Sequence, residues 1–270
     1  MPHLLLFGPG YTASRIAVAL IARGWTVDTI NRATIDDTVL VARAIGHASH
    51  ILSSVPPEGD ADPVLARHRD RLAASGARWI GYLSSTGVYG DTQGAWVDES
   101  APTGGGRRNA RTAADLAWQA LHREVRVFRL PGIYGPGRSA LDRVAADAAH
   151  RIDIAGQVFS RVHVDDIVGG VLTSIDHGPA GVYNLADDLP ASQNRVIEMA
   201  CTLLDLPVPP LLSLEAAALS PAARAFYAEN RRVANGRAKR LLGWRPLYPD
   251  YRAGLRTLNA LVANRPEKAE

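Results

Sequence analysis

Residues 3 to 13 read His3-Leu4-Leu5-Leu6-Phe7-Gly8-Pro9-Gly10-Tyr11-Thr12-Ala13. The apolar run predicts a buried strand, and the residues after it predict an amphipathic helix. The turn between them is G-x-G-x-x-A, a variant of the dinucleotide fingerprint, which allows a tight turn, close approach of a pyrophosphate and tight helix packing. The start of the helix attracts phosphate through its free N–H groups. We therefore predict a dinucleotide site at Gly8, Gly10, Tyr11 and Ala13, with a purely structural glycine turn as the alternative.

The same alternation of short apolar runs and helical stretches continues beyond this turn. Strands are predicted at His3–Phe7, Thr26–Ile30, His50–Ser53, Trp79–Ser84, Val125–Leu130, Phe159–Val164 and Gly181–Leu185. Helices are predicted at Tyr11–Arg23, Asp36–Ala44, Asp62–Ala74, Arg107–Arg123 and near Leu141–Ala149, with a mostly helical segment from Pro190. The pattern indicates an α/β fold with a Rossmann-type doubly wound parallel sheet.

We expect two structural units. A dinucleotide-binding Rossmann domain is predicted to comprise residues 1–135 and about 158–188. A small, mostly helical C-terminal substrate lobe is predicted to comprise about 136–157 and 189–270.

The end of the second predicted strand indicates which dinucleotide is bound. An acidic residue there would bind the adenosine ribose hydroxyls and favour NAD. The chain instead has Asn31 followed by Arg32, and a guanidinium matches a 2′-phosphate in charge and geometry. We therefore predict NADP, with NAD as the second choice, and we place Asn31, Arg32 and Ser53 in the cofactor site. An ordinary surface arginine is the alternative interpretation of Arg32.

Composition excludes several other classes of function. The 270 residues carry 30 basic and 27 acidic side chains, and the net charge of +3 is not clustered as nucleic-acid binding requires. No membrane span or targeting segment is expected, because the apolar run at the N-terminus is short and lacks a basic leader. The single cysteine, Cys201, is expected in the core. This lone cysteine can form no intramolecular disulfide, so we expect a cytoplasmic protein. The eight histidines lack metal-ligand spacing, so we expect no metal site.

Several further motifs together resemble an extended short-chain dehydrogenase/reductase, of the NAD-dependent epimerase/dehydratase superfamily. They lie at 82–90 (YLSSTGVYG), 96–99 (WVDE), 129–136 (RLPGIYGP), 161–167 (RVHVDDI), 183–188 (YNLADD) and 242–246 (LGWRP). The nearest resemblance is to the atypical branch of bacterial YeeZ-type proteins. It implies a small-molecule substrate, with sugar nucleotides among the candidates, and pairing as a homodimer.

The chemistry of the resembled family uses a Ser or Thr and then Tyr-x-x-x-Lys on the next helix. Ser85 matches the first position, four residues before Tyr89. Because an acidic residue usually follows the family's lysine by four positions, Asp115 aligns Arg111 with the lysine and Arg107 with the tyrosine. The resemblance therefore implies that Arg111 contacts the cofactor and supplies positive charge at the reaction centre.

The standard pair itself is absent from the sequence. None of the eight tyrosines is followed four residues later by lysine, because Lys239 and Lys268 follow Asn235 and Asn264. An arginine cannot exchange a proton near neutral pH, so it cannot replace the tyrosine.

We consider Tyr134 and Tyr89 as substitute acids, on the condition that neighbouring arginines lower the phenol pKa. Packing is the alternative for both, and Tyr134 is the preferred acid. The predicted catalytic set is accordingly Ser85, Tyr134 and Arg111. His163 and Asp165 either face the substrate cleft or, as we prefer, hold a strand–helix junction that Asp165 caps.

Two functions remain open on this evidence. The first is an NADP-dependent oxidoreductase or epimerase-like enzyme with an altered proton donor, which we favour. The second is a catalytically inactive NADP-binding redox sensor or regulatory protein, for which the missing Tyr-x-x-x-Lys is the motivation.

Overall fold

The computed structural model describes residues 1–106 and 109–263. Its strands are β1 His3–Phe7, β2 Thr26–Ile30, β3 His50–Ser53, β4 Trp79–Ser85, β5 Trp96–Val97, β6 Val125–Leu130, β7 Gly132–Tyr134, β8 Arg151–Ile152, β9 Arg161–His163, β10 Gly181–Asn184, β11 Leu211–Leu212 and β12 Arg232–Val233. Its helices are α1 Tyr11–Ile21, α2 Thr38–His47, α3 Pro63–Ala73, α4 Asn109–Gln119, α5 Ala140–Ala145, α6 Val164–Asp176, α7 Gln193–Leu204, α8 Pro221–Phe226, α9 Gly236–Leu241 and α10 Tyr251–Ala263. A 3₁₀ turn spans Thr86–Tyr89.

Within the described residues, six strands form one parallel sheet in the order β10-β6-β4-β3-β1-β2. Alternate side chains of β1 point to opposite faces, so Leu4 and Leu6 join one apolar core and Leu5 and Phe7 join the other. Helices α1 and α6 cover the first face, and α2, α3 and α4 cover the second. The predicted Rossmann-type doubly wound fold is therefore confirmed.

The strand order places a crevice at the carboxyl edge of the sheet. From β1 the chain adds β2 on one side and then crosses to add β3 on the other. The loops after β2 and β3 consequently run in opposite directions from the turn that follows β1. Ligands of open parallel sheets bind at such a reversal point, and here the reversal point coincides with Gly8.

Side-chain caps explain where several helices begin. The carboxylate of Asp37 accepts hydrogen bonds from the amides of Val39 and Leu40, so α2 begins at Thr38 and not at Asp36. Asp62 caps α3 in the same way. The cap of α6 is His163, whose Nδ1 accepts from the Asp165 amide at 3.2 Å, so the prediction that Asp165 caps this helix is wrong.

A second apolar core lies among α5, α7 and α10, away from the main sheet. Cys201 is buried in it, as predicted. Strand β9 pairs with β7 in a separate two-stranded sheet, whereas β10 is the sixth strand of the main sheet. Ala238, Leu242 and Trp244 pack on the face of the main sheet covered by α1, although they follow residue 189. Part of the C-terminal segment that we propose as the small lobe therefore packs against the main sheet of the larger unit.

Candidate functional site

The glycine turn after β1 has the geometry that a dinucleotide needs. Gly8 has φ +79°, and an added Cβ would lie 2.9 Å from a methyl group of Val55, so both its backbone conformation and its contacts require glycine. An added Cβ on Gly10 would meet nothing within 4 Å, which leaves open space above the turn. Ala13 is fully buried between α1 and the sheet. Helix α1 begins without a side-chain cap on Gly10, so its N-terminus is suited to accept a phosphate.

Tyr11 connects this turn to the rest of the site. Its hydroxyl donates to the Pro136 carbonyl at 3.1 Å, and its ring lies against the guanidinium groups of Arg15 and Arg138. Burial raises the pKa of the Tyr11 phenol. The Tyr11 side chain therefore links α1 to the loop that follows β7.

The loops after β2 and β3 meet across the crevice. The side-chain oxygen of Asn31 accepts from the Ala33 amide at 2.8 Å and so shapes its own turn. Arg32 is 91% exposed and forms an ion pair of 2.9 Å with Glu58. Ser53 is fully buried, and its hydroxyl has no partner among the described residues. Sequence reasoning missed Glu58, which lies 26 positions from Arg32 and belongs to no motif.

A cavity of about 500 Å³ lies at the carboxyl edge, beside the turn. It brings together Tyr11, Ser85 and Arg111 from the predicted site. Its other charged lining residues are Arg138, Glu229 and Arg231. Among the predicted residues, Gly8, Gly10, Ala13, Asn31, Arg32, Ser53 and Tyr134 do not line it.

A buried polar network holds the wall that carries Ser85 and Arg111. Asp115 forms a bidentate ion pair with Arg129, with N–O distances of 2.8 and 3.1 Å, and also accepts from Ser84 at 2.6 Å. The network joins α4 to β4 and β6. Arg111 lies one turn before Asp115 on α4, so both face the sheet edge. The Ser85 hydroxyl accepts from the Gly87 amide at 3.1 Å, which holds the serine at the start of the 3₁₀ turn.

Tyr134 does not reach Ser85. Its hydroxyl is 3.5 Å from the Asp250 carbonyl and lies over Gly254, and its ring contacts His163 edge-on. Burial and nearby carboxylates, that of Asp187 first among them, raise the pKa of the phenol well above its usual range. Tyr134 lines an adjacent cavity, where its ring belongs to the second core.

Tyr89 is also held away from the cavity. Its hydroxyl donates to Asn184 at 2.8 Å and accepts from Arg129 at 3.1 Å. Burial raises the pKa of this phenol despite Arg129. The condition set for either tyrosine, a lowered pKa, is therefore not met in the structure. Arg107, aligned with the family's tyrosine, lies outside the described residues.

A carboxylate that sequence reasoning missed lines the cavity instead. Glu229 has a side chain 9% exposed and forms an ion pair of 2.8 Å with Arg231, which also donates to the Gly90 carbonyl at 2.6 Å. The segment is firmly held, because Gln157 donates to the Glu229 carbonyl at 3.0 Å and the Asn230 amide donates to Asp91 at 2.8 Å. No sequence signal identifies Glu229, since only the fold brings it to the cavity that Ser85 also lines.

His163 belongs to the junction and not to this cavity. It is buried, its Nδ1 bonds the Asp165 amide, and burial lowers its pKa. Across residues 1–106 and 109–263, no three potential metal-ligating side chains converge on one point. In the same ranges, no helix has the length and apolar character of a membrane span.

Comparison with known proteins finds relatives and solved structures that match most of the chain. No family model matches the chain. Protein YeeZ of Escherichia coli (strain K12) is 27% identical over an alignment of 249 positions that covers 77% of this chain and 86% of that protein. A 3-diazoavenalumate denitrifying reductase of Streptomyces sp is 28% identical over an alignment of 274 positions that covers 90% of this chain and 86% of that protein.

Solved structures agree over nearly the whole chain. A conserved protein of unknown function from Silicibacter pomeroyi DSS is 41% identical, with a TM-score of 0.86 and coverage of 96% of this chain and 99% of that one. MoeE5 in complex with UDP-glucose and NAD is 17% identical, with a TM-score of 0.75 and coverage of 97% and 98%. Human epimerase family protein SDR39U1 with NADPH is 16% identical, with a TM-score of 0.74 and coverage of 96% and 99%. The last two show a shared fold.

The predicted classification is thus confirmed by the relatives and by the fold together. The chain is similar to YeeZ over most of its length and shares the fold of an epimerase family protein.

Proposed function

We propose that the chain is an NADP-dependent oxidoreductase acting on a small-molecule substrate. The observation that carries this proposal is the cavity of about 500 Å³, which joins the start of α1 to Ser85 and Arg111. One relative is named a reductase, and neighbours of the same fold hold NAD or NADPH. The cavity lies within the range of ordinary small-molecule sites.

The residues of the crevice fit a dinucleotide. The uncapped start of α1 and the open space above Gly10 would accept the pyrophosphate, and Gly8 permits the turn beneath it. Ser53 offers a buried hydroxyl without a partner among the described residues, and Arg32 would meet the 2′-phosphate. When bound, NADPH supplies a hydride to the substrate.

Ser85 and Arg111 would act on the substrate oxygen. Both can donate hydrogen bonds to a carbonyl oxygen that gains negative charge, and the Asp115 network holds them in place before substrate arrives. The guanidinium of Arg111 stabilises charge and transfers no proton.

Glu229 is the group that we place in the tyrosine's role, as the carboxylate that orients a proton-donating water. It is the carboxylate lining this cavity among the described residues, and both ends of its segment are held by hydrogen bonds. Its ion pair with Arg231 favours the ionised carboxylate, which would hold a water that gives its proton to the substrate oxygen and is reprotonated from solvent. The proposal keeps Ser85 and Arg111 from the predicted catalytic set and replaces Tyr134.

The test is NADPH oxidation over a panel of carbonyl compounds and sugar nucleotides. With a substrate found, Ser85→Ala and Arg111→Ala are expected to lower kcat by about a hundredfold each, as loss of an oxyanion donor does. Arg111→Lys should retain most activity, because lysine keeps the positive charge. Glu229→Gln should also lower kcat, whereas Glu215→Gln, an exposed carboxylate on the same C-terminal segment, should not.

Two outcomes would contradict the proposal. Tight NADPH binding with no turnover across the panel would favour the redox-sensor alternative. Turnover that is indifferent to Glu229→Gln would remove Glu229 from the mechanism while leaving the reaction class intact.

A further inference from the structure

An ion pair spans the opening of the dinucleotide crevice. Arg32 extends from the loop after β2, and Glu58 extends from the loop after β3, with N and O atoms 2.9 Å apart. Because β1 lies between β2 and β3 in the sheet, these loops flank the Gly8 turn on its two sides. The pair therefore crosses the carboxyl end of β1, where the adenosine end of a dinucleotide would lie.

The backbone on both sides of the pair is anchored. The amide of Ser54 donates to the Phe7 carbonyl at 2.9 Å, and Glu58 and Ala61 exchange two backbone hydrogen bonds of 2.9 and 3.2 Å. Glu58 is thus presented from a closed turn.

The loop that carries Arg32 is held to α3. His68 Nε2 lies 2.8 Å from the Ile35 carbonyl, and Arg67 pairs with Asp36 at 2.5 Å. The side chains of Arg32 and Glu58 remain mostly exposed, at 91% and 64%, so they can separate without a change in the fold.

We propose that Glu58 is a residue that determines cofactor specificity, by competing with the 2′-phosphate of NADP for Arg32. This inference rests on the proposed function. In the free protein the carboxylate occupies the guanidinium that NADP would use. On binding, Arg32 passes from Glu58 to the phosphate, which carries more charge and accepts two parallel hydrogen bonds. Glu58 then stands unpaired near a like charge and weakens the complex. NAD, which lacks this phosphate, does not need Arg32.

The structure explains why this effect is moderate in size. An exposed ion pair contributes little in water, and salt screens both the pairing and the repulsion. Glu58→Gln should therefore tighten NADP binding ~2- to 10-fold at low salt, with a smaller gain at high salt. The affinity for NAD should change less than about twofold, since its ribose carries no phosphate there.

The experiment is calorimetric titration of the full chain with NADP and with NAD. The matched control is Asp36→Asn, which makes the same charge change on an exposed residue and breaks the neighbouring Arg67 pair instead. It should leave the ratio of NADP to NAD affinity unchanged. In an Arg32→Gln background, Glu58→Gln should give a smaller gain, because the competition it relieves no longer exists.

Each outcome has a defined meaning. An unchanged affinity ratio in Glu58→Gln, with wild type binding NADP, would overturn this inference alone. An equal gain in NADP affinity in Glu58→Gln and Asp36→Asn would show a general effect of removing negative charge. That result would also overturn the inference that Glu58 competes for Arg32. Binding of neither dinucleotide to wild type would overturn the proposed function, and this inference with it.

Discussion

Asn31 stands where an acidic residue would bind the adenosine ribose, and its side chain instead closes a local turn with the Ala33 amide. Arg32, the next residue, points its guanidinium over the crevice toward Glu58. At the scale of single residues, we propose that cofactor choice depends on these two neighbouring side chains. One shapes the loop, and the other offers charge.

Arg32→Ala should weaken NADP binding roughly ten- to a hundredfold, the effect of losing one charge-assisted contact. NAD binding should stay nearly unchanged. Calorimetric titration with both dinucleotides measures this. Equal weakening of the two cofactors would mean that Arg32 supports the loop and does not select the phosphate.

Asn31→Asp should move the preference toward NAD. An aspartate retains an oxygen for the Ala33 amide, so the turn should persist, while the new carboxylate accepts from ribose hydroxyls and repels a 2′-phosphate. The same titrations apply, with circular dichroism as the control for folding. A variant that binds NADP more tightly than wild type would contradict the placement of the ribose.

At the scale of elements, a buried ion pair between Asp115 and Arg129 positions α4. Asp115 and Arg129 have side chains 1% and 3% exposed, and Ser84 and Tyr89 complete their hydrogen bonds. A buried pair of this kind contributes little net stability, but removing one partner leaves the other uncompensated. The position of α4, which carries Arg111, therefore depends on this buried ion pair.

Asp115→Asn should accordingly lower the free energy of unfolding by about 3–5 kcal/mol. Asp176→Asn is the comparison, because Asp176 pairs with Arg23 on the surface, where each side chain is 46% exposed. Its loss should cost less than about 1 kcal/mol. Urea denaturation of both variants checks the contrast, and similar small losses would show that the buried pair does not hold α4.

At the scale of the whole molecule, stability should depend on pH through His50 at the amino edge of the sheet. Burial, followed by the charges of Arg78 and Arg126, lowers the pKa of His50 to about 4. In the unfolded chain the pKa is about 6.5. Between these values the unfolded state binds more protons at His50, so the contribution of His50 to stability falls as the pH drops below about 6.5.

The expected loss from His50 is ~2 kcal/mol between about pH 7 and about pH 5. His50→Gln should reduce this loss, whatever its effect at neutral pH, and the exposed His47→Gln should not. Urea titrations at the two pH values measure the difference. An identical pH dependence in wild type and His50→Gln would contradict the prediction.

The fold was predictable from the sequence because its signals are local. The β1 run, the glycine turn and the α1 pattern are contiguous, and the other strands carry the same apolar signature. Ser85 and Arg111 were predicted as site residues from the resemblance to short-chain dehydrogenases/reductases. Glu58 could not be predicted because its partner, Arg32, lies 26 positions away, and Glu229 could not be predicted because only the fold brings it to the cavity. Tyr134 failed as a choice of acid because nothing in its motif reports the direction of its hydroxyl, which points to Asp250.

The most direct test of the central claim is a crystal structure of the chain grown with saturating NADP. The account predicts density with the pyrophosphate at the amides that begin α1, the 2′-phosphate on Arg32, and the nicotinamide in the cavity beside Ser85 and Arg111. Density with the dinucleotide bound elsewhere, or an empty crevice at saturating concentration, would contradict it.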